Sequence, residues 1–317
     1  MSAISAVLLA AGLGTRMRPL SGAIPKAALP VLDVPLATFA LGRLAAAGLS
    51  VAVNATNAGA AAARRVADGR AEVLLEGDEP YGTAGTLAAL RARLAARFVT
   101  FNADMLCDVD VAALLDAHAA SGAVATVAVA RVEAGADLVV EGGRAAAFVD
   151  RRRADEPGAR YLGVAAFERD ALELPARRPA GLAEVVLRPL VERGAVAAFE
   201  HDGYALDVGT PDRYLRASLD VLDGRAPPPP HGVPGRVVAA GGGRAYVGPG
   251  ATVDGASLGA GAIVLADAVV EPRARVERAV VWPGERVAAG RVVAGVVAAL
   301  GTELGGVRTA SNAPPAR

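Results

Sequence analysis

From its start to about position 130, the chain alternates between short apolar runs and segments with helical periodicity. Apolar runs that are rich in β-branched residues, or bounded by turn residues, predict strands at 3–11, 49–54, 71–75, 97–102 and 124–130. The segments between them are typical of helices, at 35–47, 57–67, 84–96 and 111–120. Such an alternation predicts an α/β fold with a Rossmann-like, mostly parallel sheet and helices on both faces.

Residues 137–200 have a less regular pattern. Apolar segments at 138–140, 144–149 and 161–167 predict strands, and a helical pattern follows at about 182–193. We interpret this region as a smaller mixed lid built onto the first sheet. A strand at 204–207 and a helix at 211–222 complete a first domain, 1–223. The proline-rich stretch 224–235 then predicts a stiff, extended linker.

Aliphatic residues recur every five to seven positions between 237 and 297, with glycine and alanine between them. A period near six is typical of a hexapeptide-type parallel β-helix, in which one aliphatic side chain per short strand stacks inside each coil. A β-sandwich rich in alanine, glycine and valine is the alternative. We therefore expect a left-handed β-helix-like domain at 236–300 and a polar tail at 301–317.

Charge and composition restrict the expected partners. The 317 residues include 33 basic and 33 acidic side chains, which argues against a nucleic-acid binder because such proteins carry a basic footprint. Apolar stretches stay below about 18 residues before a charge, glycine or proline interrupts them, so we expect no membrane span. The single cysteine, Cys107, cannot form an internal disulfide, which fits a cytoplasmic location.

A glycine-containing turn follows the first predicted strand. Gly12 and Gly14 allow backbone N–H groups to approach a polyphosphate, and Arg16 adds a fixed positive charge. Lys26 is the only lysine among the 33 basic residues, and it can place a compact ammonium on the same phosphates. A Gly-x-Gly turn alone is usually structural, and this one lacks the remaining residues of both common phosphate-binding loops.

Two aspartates occur at the ends of predicted strands. Asp104 lies just past the strand at 97–102, and Asp207 ends the strand at 204–207. Ligands of open α/β sheets bind at the carboxyl ends of the strands, and Mg²⁺ is typically held by one or two carboxylates together with phosphates and water. Either aspartate alone could be a helix cap or a solvated turn residue. The pair favours a metal site.

Four motifs, in order along the chain, resemble the signature of sugar-1-phosphate nucleotidylyltransferases, or NDP-sugar pyrophosphorylases. They are Gly-Leu-Gly-Thr-Arg-Met-Arg-Pro-Leu at 12–20 with Pro-Lys at 25–26, Glu-Pro-Tyr-Gly-Thr-Ala-Gly at 79–85, Phe-Asn-Ala-Asp at 101–104, and Leu-Asp-Val-Gly-Thr-Pro-Asp-Arg-Tyr at 206–214. The resemblance covers residues 1 to about 222. The hexapeptide-like region is similar to that of members with a left-handed β-helix.

The resemblance implies that residues 1–223 are a catalytic domain, which transfers a nucleotidyl group from a nucleoside triphosphate to a sugar 1-phosphate. It implies Arg16 and Lys26 as catalytic residues and a Mg²⁺ cofactor on Asp104 and Asp207. The nucleotide-binding residues that it implies are Leu9, Ala10, Ala11, Gly12, Gly14, Thr15, Gly82, Thr83, Gly85 and Asn102.

On the sugar side the chain departs from the family pattern. Many relatives have Glu-Lys-Pro where this chain has Asp150 and Arg151, and the usual Asn-Ala-Gly is reduced to Gly163. An alternative alignment brings Asp137 to the sugar, which resembles relatives that act on N-acetylmuramate or heptose phosphates. Glu184 is a further candidate. These departures leave the identity of the sugar open.

The acidic segment 76–80 contains no glutamine, which is more similar to guanylyl-transferring, mannose-1-phosphate members than to uridylyl or thymidylyl ones. GTP with mannose 1-phosphate, or a related sugar, is therefore the expected pair. Uridylyl or other nucleotidyl transfer to N-acetylmuramate or heptose 1-phosphate is the alternative.

Two rival classes remain open. A non-catalytic, nucleotide-sugar-binding regulatory homologue would explain the departures at the sugar side. A bifunctional chain with an acyltransferase β-helix is disfavoured, because residues 236–300 contain no histidine to act as a general base. We expect the C-terminal domain to assemble a homo-oligomer instead.

Overall fold

The structure is a computed structural model that describes residues 3–149, 156–175 and 179–305. The chain divides into two compact units, of which unit 1 contains residues 1–29, 35–207 and 227–230, and unit 2 contains 30–34, 208–226 and 231–317. The helix at 211–223, which the sequence pattern grouped with the first domain, clusters with unit 2. Asp150, Arg151 and the tail from residue 306 onward lie outside the described residues.

The elements up to residue 207 include those that the sequence pattern predicts, in the same order, with most ends shifted by a few residues. In chain order they are β1 Ile4–Leu9, α1 Leu20–Ala23, β2 Pro30–Val31, β3 Val34–Pro35, α2 Leu36–Ala46, β4 Val51–Ala55, α3 Ala60–Ala67, β5 Glu72–Leu75, α4 Thr83–Leu90, β6 Leu94–Asn102, β7 Met105–Cys107, α5 Val111–Ser121, β8 Ala125–Val132, β9 Leu138–Glu141, β10 Arg144–Phe148, β11 Gly158–Glu168, α6 Arg188–Glu192, β12 Val196–Glu200 and β13 Ala205–Asp207. A π-helical turn, Ala183–Leu187, leads into α6.

One helix is shorter than its pattern predicts. The helix expected at 84–96 ends at Leu90, and from Leu94 onward the chain is already in strand β6. The reason is tertiary, because Leu94 pairs with Ile4 of β1 and is 1% exposed. Leu94 is compatible with helical periodicity, but in the structure it extends a buried strand. The short elements α1, β2, β3 and β7, and strand β12, were not predicted.

Unit 1 contains a nine-stranded sheet with strand order β5-β4-β1-β6-β11-β8-β12-β10-β9. Pairing is parallel across β5, β4, β1 and β6 and between β8 and β12, and antiparallel at the other neighbours. The predicted mostly parallel sheet is therefore wrong in its second half, where the sheet is mixed. The chain passes from β8 to β11 through the β9–β10 hairpin, so β11 enters the sheet antiparallel to β8 and β6.

Strand β1 is packed between two apolar layers. Ile4, Val7 and Leu9 belong to the layer on one face of the sheet, whereas Ala6 and Leu8 belong to the layer on the other. Burial on both faces explains why the strand is a continuous apolar run rather than an alternating one. Because β1, β4 and β6 pair in parallel, their carboxyl ends meet at one edge of the sheet.

After position 207, the described residues of unit 2 form one helix and many short strands. They are α7 Pro211–Asp223, β14 Arg236–Ala240, β15 Gly243–Val247, β16 Ser257–Leu258, β17 Ala262–Val264, β18 Val269–Val270, β19 Arg275–Glu277, β20 Ala279–Val281, β21 Arg286–Val287, β22 Val292–Ala294, β23 Val297–Ala299 and β24 Thr302–Leu304. This region is therefore rich in sheet, as expected from the aliphatic repeat.

The short strands of unit 2 pair in parallel at a nearly constant offset along the chain. Tyr246, Ile263, Val280 and Val297 are successive partners in one sheet, and their positions are evenly spaced. In two further sheets, the two residues of each parallel pair are separated along the chain by the same number of positions, to within one. Three short strands fall in each of the two later intervals, and two strands and the isolated bridge at Thr252 fall in the first. Successive strands therefore follow one another at a spacing just under six, close to the period in the sequence.

Both faces of the inner strands β17, β20 and β23 of the largest sheet in unit 2 are buried. Val264, Val281 and Ala298 belong to the apolar cluster enclosed by the short strands, while the residues that alternate with them, such as Ile263 and Val280, are also buried. Helix α7 contacts strands of this sheet. The helices of the described ranges are all too short or too polar to cross a bilayer.

Candidate active site

A cavity of about 270 Å³ opens at the carboxyl ends of β1 and β6 in unit 1. The residues that line it come from five segments of the chain, and they are Leu9, Ala10, Ala11, Gly12, Lys26, Ala27, Asn54, Pro80, Gly82, Thr83, Asn102, Ala103 and Asp104. The structure thus brings together most of the predicted nucleotide-binding residues with one predicted catalytic residue and one predicted metal ligand. An adjoining cavity of about 290 Å³ shares Ala10 to Gly12 and Lys26 with the first.

Four of the predicted nucleotide-binding and catalytic residues do not line these two cavities. Gly14 and Thr15 lie just beyond the turn, and Gly85 is buried within α4. Arg16 is exposed in a short 3-10 turn, and among the described residues it has no ion-pair or hydrogen-bond partner. Its guanidinium is therefore available to an anion that arrives from solvent.

Gly14 supports the turn through its backbone conformation. Its φ of +59° lies in the left-handed region, and a Cβ added there would be 3.1 Å from the Cβ of Ser21 and 3.2 Å from that of Lys26. The Gly14 carbonyl also accepts a hydrogen bond of 2.8 Å from the Ser21 hydroxyl. Glycine therefore allows the segment that carries Lys26 to approach the turn closely.

The ammonium of Lys26 lies between two carboxylates from distant parts of the chain. It donates a short hydrogen bond to Oδ2 of Asp104, and it is 3.9 Å from Oδ1 of Asp207. Antiparallel pairing of β7 with β13 places Asp207 opposite Met105, directly beside Asp104. One cation therefore offsets the repulsion between two adjacent negative charges.

The chemistry of this cluster fits a divalent cation. Asp104 and Asp207 keep 34% and 30% of their side-chain surface exposed, and both already face one cation, the Lys26 ammonium. The described part of the chain has no group of three or more His, Cys, Asp and Glu side chains that could hold a metal on its own. An ion bound here would therefore need further oxygen ligands from phosphates and water, as Mg²⁺ commonly does.

Position 82 requires glycine because the backbone of another segment of unit 1 lies close to it. Its φ is +72°, and a Cβ added there would be 2.5 Å from the carbonyl oxygen of Ala180. Ala180 also exchanges hydrogen bonds with this turn, because its N–H donates to the Tyr81 carbonyl at 3.0 Å and its carbonyl accepts from Ala84 at 2.9 Å. The turn is further held by Thr83, whose hydroxyl accepts the N–H of Leu182 at 2.7 Å. Sequence reasoning missed the segment around Ala180.

Gly163 packs against a residue that lines the first of these cavities. Its φ is +69°, and a Cβ added there would be 2.5 Å from Nδ2 of Asn102. Because Asn102 lines the cavity, Gly163 lets strand β11 approach the cavity wall from behind. The structure thus gives this predicted sugar-side residue a packing role next to Asn102.

Two further predicted sugar-side residues, Asp137 and Glu184, lie in the described ranges. Asp137 accepts the N–H of Tyr161 at 3.1 Å through its Oδ2 atom, and desolvation raises the pKa of its carboxyl above the ordinary value. The carboxylate of Glu184 lies against Gly181, which follows Ala180, the residue that contacts the Gly82 turn. Neither side chain lines the cavities that the described residues form.

A buried polar network behind the cavity was not predicted. The Oδ1 atom of Asn54 accepts the N–H groups of Ala10 at 2.6 Å and Ala11 at 3.3 Å. Its Nδ2 atom donates to Oε1 of Glu76 at 2.8 Å and to the hydroxyl of Thr86 at 3.0 Å. A single polar residue inside the apolar strand Val51–Ala55 was the signal available in the sequence.

The fold, together with the four sequence motifs given above, defines a class of nucleotide-transferring enzymes. Residues 5–138 match the family described as nucleotidyl transferase. The chain is 32% identical to a mannose-1-phosphate guanylyltransferase of Mycobacterium tuberculosis over 305 residues, which cover 92% of this chain and 83% of the relative. The chain belongs to the nucleotidyl transferase family.

Further relatives align over less of their length. The chain is 28% identical to a mannose-1-phosphate guanyltransferase of Schizosaccharomyces pombe and 28% identical to a mannose-1-phosphate guanylyltransferase catalytic subunit beta of Danio rerio. Each match covers 67% of this chain but only 62% and 63% of those relatives.

A solved structure shares the fold. It is a Bacillus anthracis protein described as a putative glucose-1-phosphate thymidylyltransferase in complex with a sucrose. It matches with a TM-score of 0.59 at 17% identity, over 68% of this chain and 94% of that chain.

Proposed function

We propose that this protein transfers the guanylyl group of GTP to mannose 1-phosphate, which gives GDP-mannose and pyrophosphate. The relatives named for this reaction support the proposal, since one of them aligns with 92% of the chain. The acidic segment 76–80, which lacks glutamine, favours guanine over the other bases.

One observation carries the proposal. A glycine turn, the only lysine of the chain and Asp104 line one cavity, and Asp207 lies next to them. This combination suits a reaction between two phosphate groups, because both reactants are anionic and their approach requires positive charge.

The reaction needs alignment and charge more than it needs a protein nucleophile. A phosphate oxygen of the sugar 1-phosphate forms a bond to the α-phosphorus of GTP. The bond between that phosphorus and the bridging oxygen to the β-phosphate breaks, and pyrophosphate leaves with the electron pair. The attacking oxygen is already ionised at neutral pH, so the step requires no general base.

The residues of this chain supply charge at defined places. Lys26, held by the two aspartates, would contact the phosphates at the point of bond formation. Arg16 is exposed beyond the glycine turn and would bind the departing pyrophosphate. Asp104 and Asp207 would hold Mg²⁺, which when bound neutralises phosphate charge.

Sugar recognition, assembly and location are further parts of the proposal. We assign Asp137, Asp150, Gly163 and Glu184 to the sugar side on the basis of their positions in the sequence. The parallel pairs at an even spacing along the chain support a parallel β-helix at 236–300, following the linker 224–235, and the family resemblance favours the left-handed form. That domain would join chains into a homo-oligomer, and the enzyme would be cytoplasmic.

The test is a matrix of the four nucleoside triphosphates against mannose, glucose, N-acetylmuramate and heptose 1-phosphates. Pyrophosphate release is measured with and without Mg²⁺. We expect the fastest release with GTP and mannose 1-phosphate, and none without a divalent ion. Faster release with UTP and another sugar phosphate would contradict the assignment. Nucleotide binding without any release would favour the regulatory homologue.

A further inference from the structure

Asn54 is a polar side chain in an apolar layer. The residue two positions earlier, Ala52, belongs to the same core layer as Ala84 and Leu87 of helix α4. Asn54 itself is 4% exposed. Burying an amide among such neighbours is unfavourable unless every donor and acceptor is paired, and here all are paired, since Oδ1 accepts two hydrogen bonds and Nδ2 donates two.

The partners determine which way the amide of Asn54 points. Its oxygen faces two N–H donors, at Ala10 and Ala11, and its nitrogen faces the Glu76 carboxylate. The reversed amide would place donors against donors and an oxygen against a carboxylate. The side chain therefore has one stable orientation, and it can hold the turn after β1 in only one position.

Glu76 extends this network to a second turn. It is 2% exposed, and its Oε1 atom accepts hydrogen bonds from Asn54 and from the hydroxyl of Thr86. Its Oε2 atom accepts the N–H of Tyr81 at 2.8 Å. An unbroken series of hydrogen bonds therefore runs from Ala10 through Asn54 and Glu76 to Tyr81.

The two turns joined in this way both line the nucleotide cavity. Ala10 and Ala11 line it from the end of β1, and Gly82, next to Tyr81, lines it from the start of α4. We propose that Asn54 and Glu76 are positioning residues that set the separation of these two turns and thereby the affinity for the nucleotide. The proposal rests on the nucleotide-binding role assigned above to this cavity.

The hydrogen bonds of Asn54 determine which backbone N–H groups of the turn after β1 remain available to a ligand. The N–H groups of Ala10 and Ala11 already donate to Asn54, so these two residues contribute backbone shape to the cavity. The N–H groups available to a polyphosphate begin with Gly12, where a Cβ would meet no atom within 4 Å and the backbone is open to a ligand.

A donor–acceptor swap tests the proposal. Asn54→Asp places a carboxylate against Glu76, and Glu76→Gln removes one of the acceptors for the N–H of Asn54 or Tyr81. Each single change should raise the KM for GTP, and the Kd for GTP measured by calorimetry, at least about tenfold, because a buried group loses its partner. The effect on kcat should be smaller, since neither side chain is a hydrogen-bond or ion-pair partner of Lys26.

The double variant Asn54→Asp with Glu76→Gln restores the hydrogen bonds between the two turns with the roles exchanged. The carboxylate introduced at position 54 would accept from Ala10, Ala11 and the amide introduced at position 76, whose oxygen would accept from Tyr81. We expect its KM and Kd for GTP to return to within about threefold of wild type, which a merely structural cost at each site would not produce.

Thr126→Val is the matched control. Thr126 is buried in unit 1 and bonded to His118 at 2.8 Å, away from the cavity, so its loss should lower the melting temperature without changing the KM for GTP. Single variants that fold but keep wild-type KM and Kd would overturn the proposal. A double variant that stays impaired, or does not fold, would also overturn it. Absence of pyrophosphate release by the wild type would refute the proposed function alone, because the Kd comparison remains.

Discussion

The ammonium of Lys26 donates directly to the carboxylate of Asp104, although 78 residues separate the two in the chain. The side chain of Lys26 is only 10% exposed, and Asp207 is its second acidic neighbour. A surface cation could equally be arginine, as it is at every other basic position of this protein. A compact ammonium can face two carboxylates from one position, which gives a physical reason for lysine here.

Lys26→Arg should lower turnover by about 100-fold, because the planar guanidinium keeps the charge but cannot fit between two carboxylates in the same geometry. Lys26→Ala should lower it at least as much. Pyrophosphate release under saturating substrates measures both. The exposed Arg64→Ala is a control that should match wild type. Near-wild-type turnover of Lys26→Arg would show that charge alone suffices.

Asp104→Asn and Asp207→Asn should each reduce turnover by about 100-fold and raise the Mg²⁺ concentration needed for half-maximal activity, because each removes one anionic oxygen ligand. A Mg²⁺ titration of pyrophosphate release makes the comparison. Asp116→Asn, a substitution in α5 away from the cavities, controls for a change in net charge. An unchanged Mg²⁺ dependence in both variants would refute the metal assignment.

Gly82→Ala should destabilise the protein more than Gly48→Ala. Both glycines have φ of +72°, so the cost of adding a Cβ in the left-handed region is shared, but only Gly82 faces the backbone of Ala180. The additional loss should be about 1–3 kcal/mol, as expected for overpacking against atoms that cannot move aside. Urea denaturation of the two variants measures the difference. Equal losses would show that the Ala180 segment moves freely.

Burial of His118 should make the folded state less stable in mild acid. The ring is 1% exposed, and desolvation lowers the pKa of His118 below 6.5, although Glu168 opposes the shift. The unfolded chain then binds a proton that the folded chain does not, so stability falls as pH decreases from about 6.5 through the folded-state pKa.

His118→Gln should remove part of this pH dependence. Melting temperatures measured from about pH 5 to about pH 8 should vary less for the variant than for wild type. The comparison concerns the slope, so a uniform loss of stability in the variant does not affect it. Parallel curves for the two proteins would contradict the assignment to His118.

The elements of unit 1 could largely be read from local patterns, because the apolar runs and helix-ending glycines are properties of neighbouring residues. Residues 94–96 are one exception, since the pairing of Leu94 with Ile4 decided their conformation. The direction of β11 was also beyond local reasoning. Its antiparallel entry depends on where the preceding hairpin returns the chain.

The residues of the candidate site also divide into those that the sequence predicted and those that only the structure revealed. The glycine turn, Lys26 and the two aspartates could be found from motifs, because glycine conformation and phosphate chemistry restrict the residue types. The hydrogen bonds of Asn54 and Glu76 could not, because a buried polar side chain reveals its role only through its partners.

The amino-acid order of this protein by itself determined the succession of strands and helices, the aliphatic repeat of its C-terminal part and the cationic and acidic residues available for phosphate chemistry. Only the tertiary structure decided the mixed sheet, the approach of Ala180 to Gly82 and the pairing of Lys26 with its two acids. The physical reason is that local conformation depends on adjacent side chains, whereas strand direction, close backbone contacts and ion pairs depend on groups brought together from distant parts of the chain.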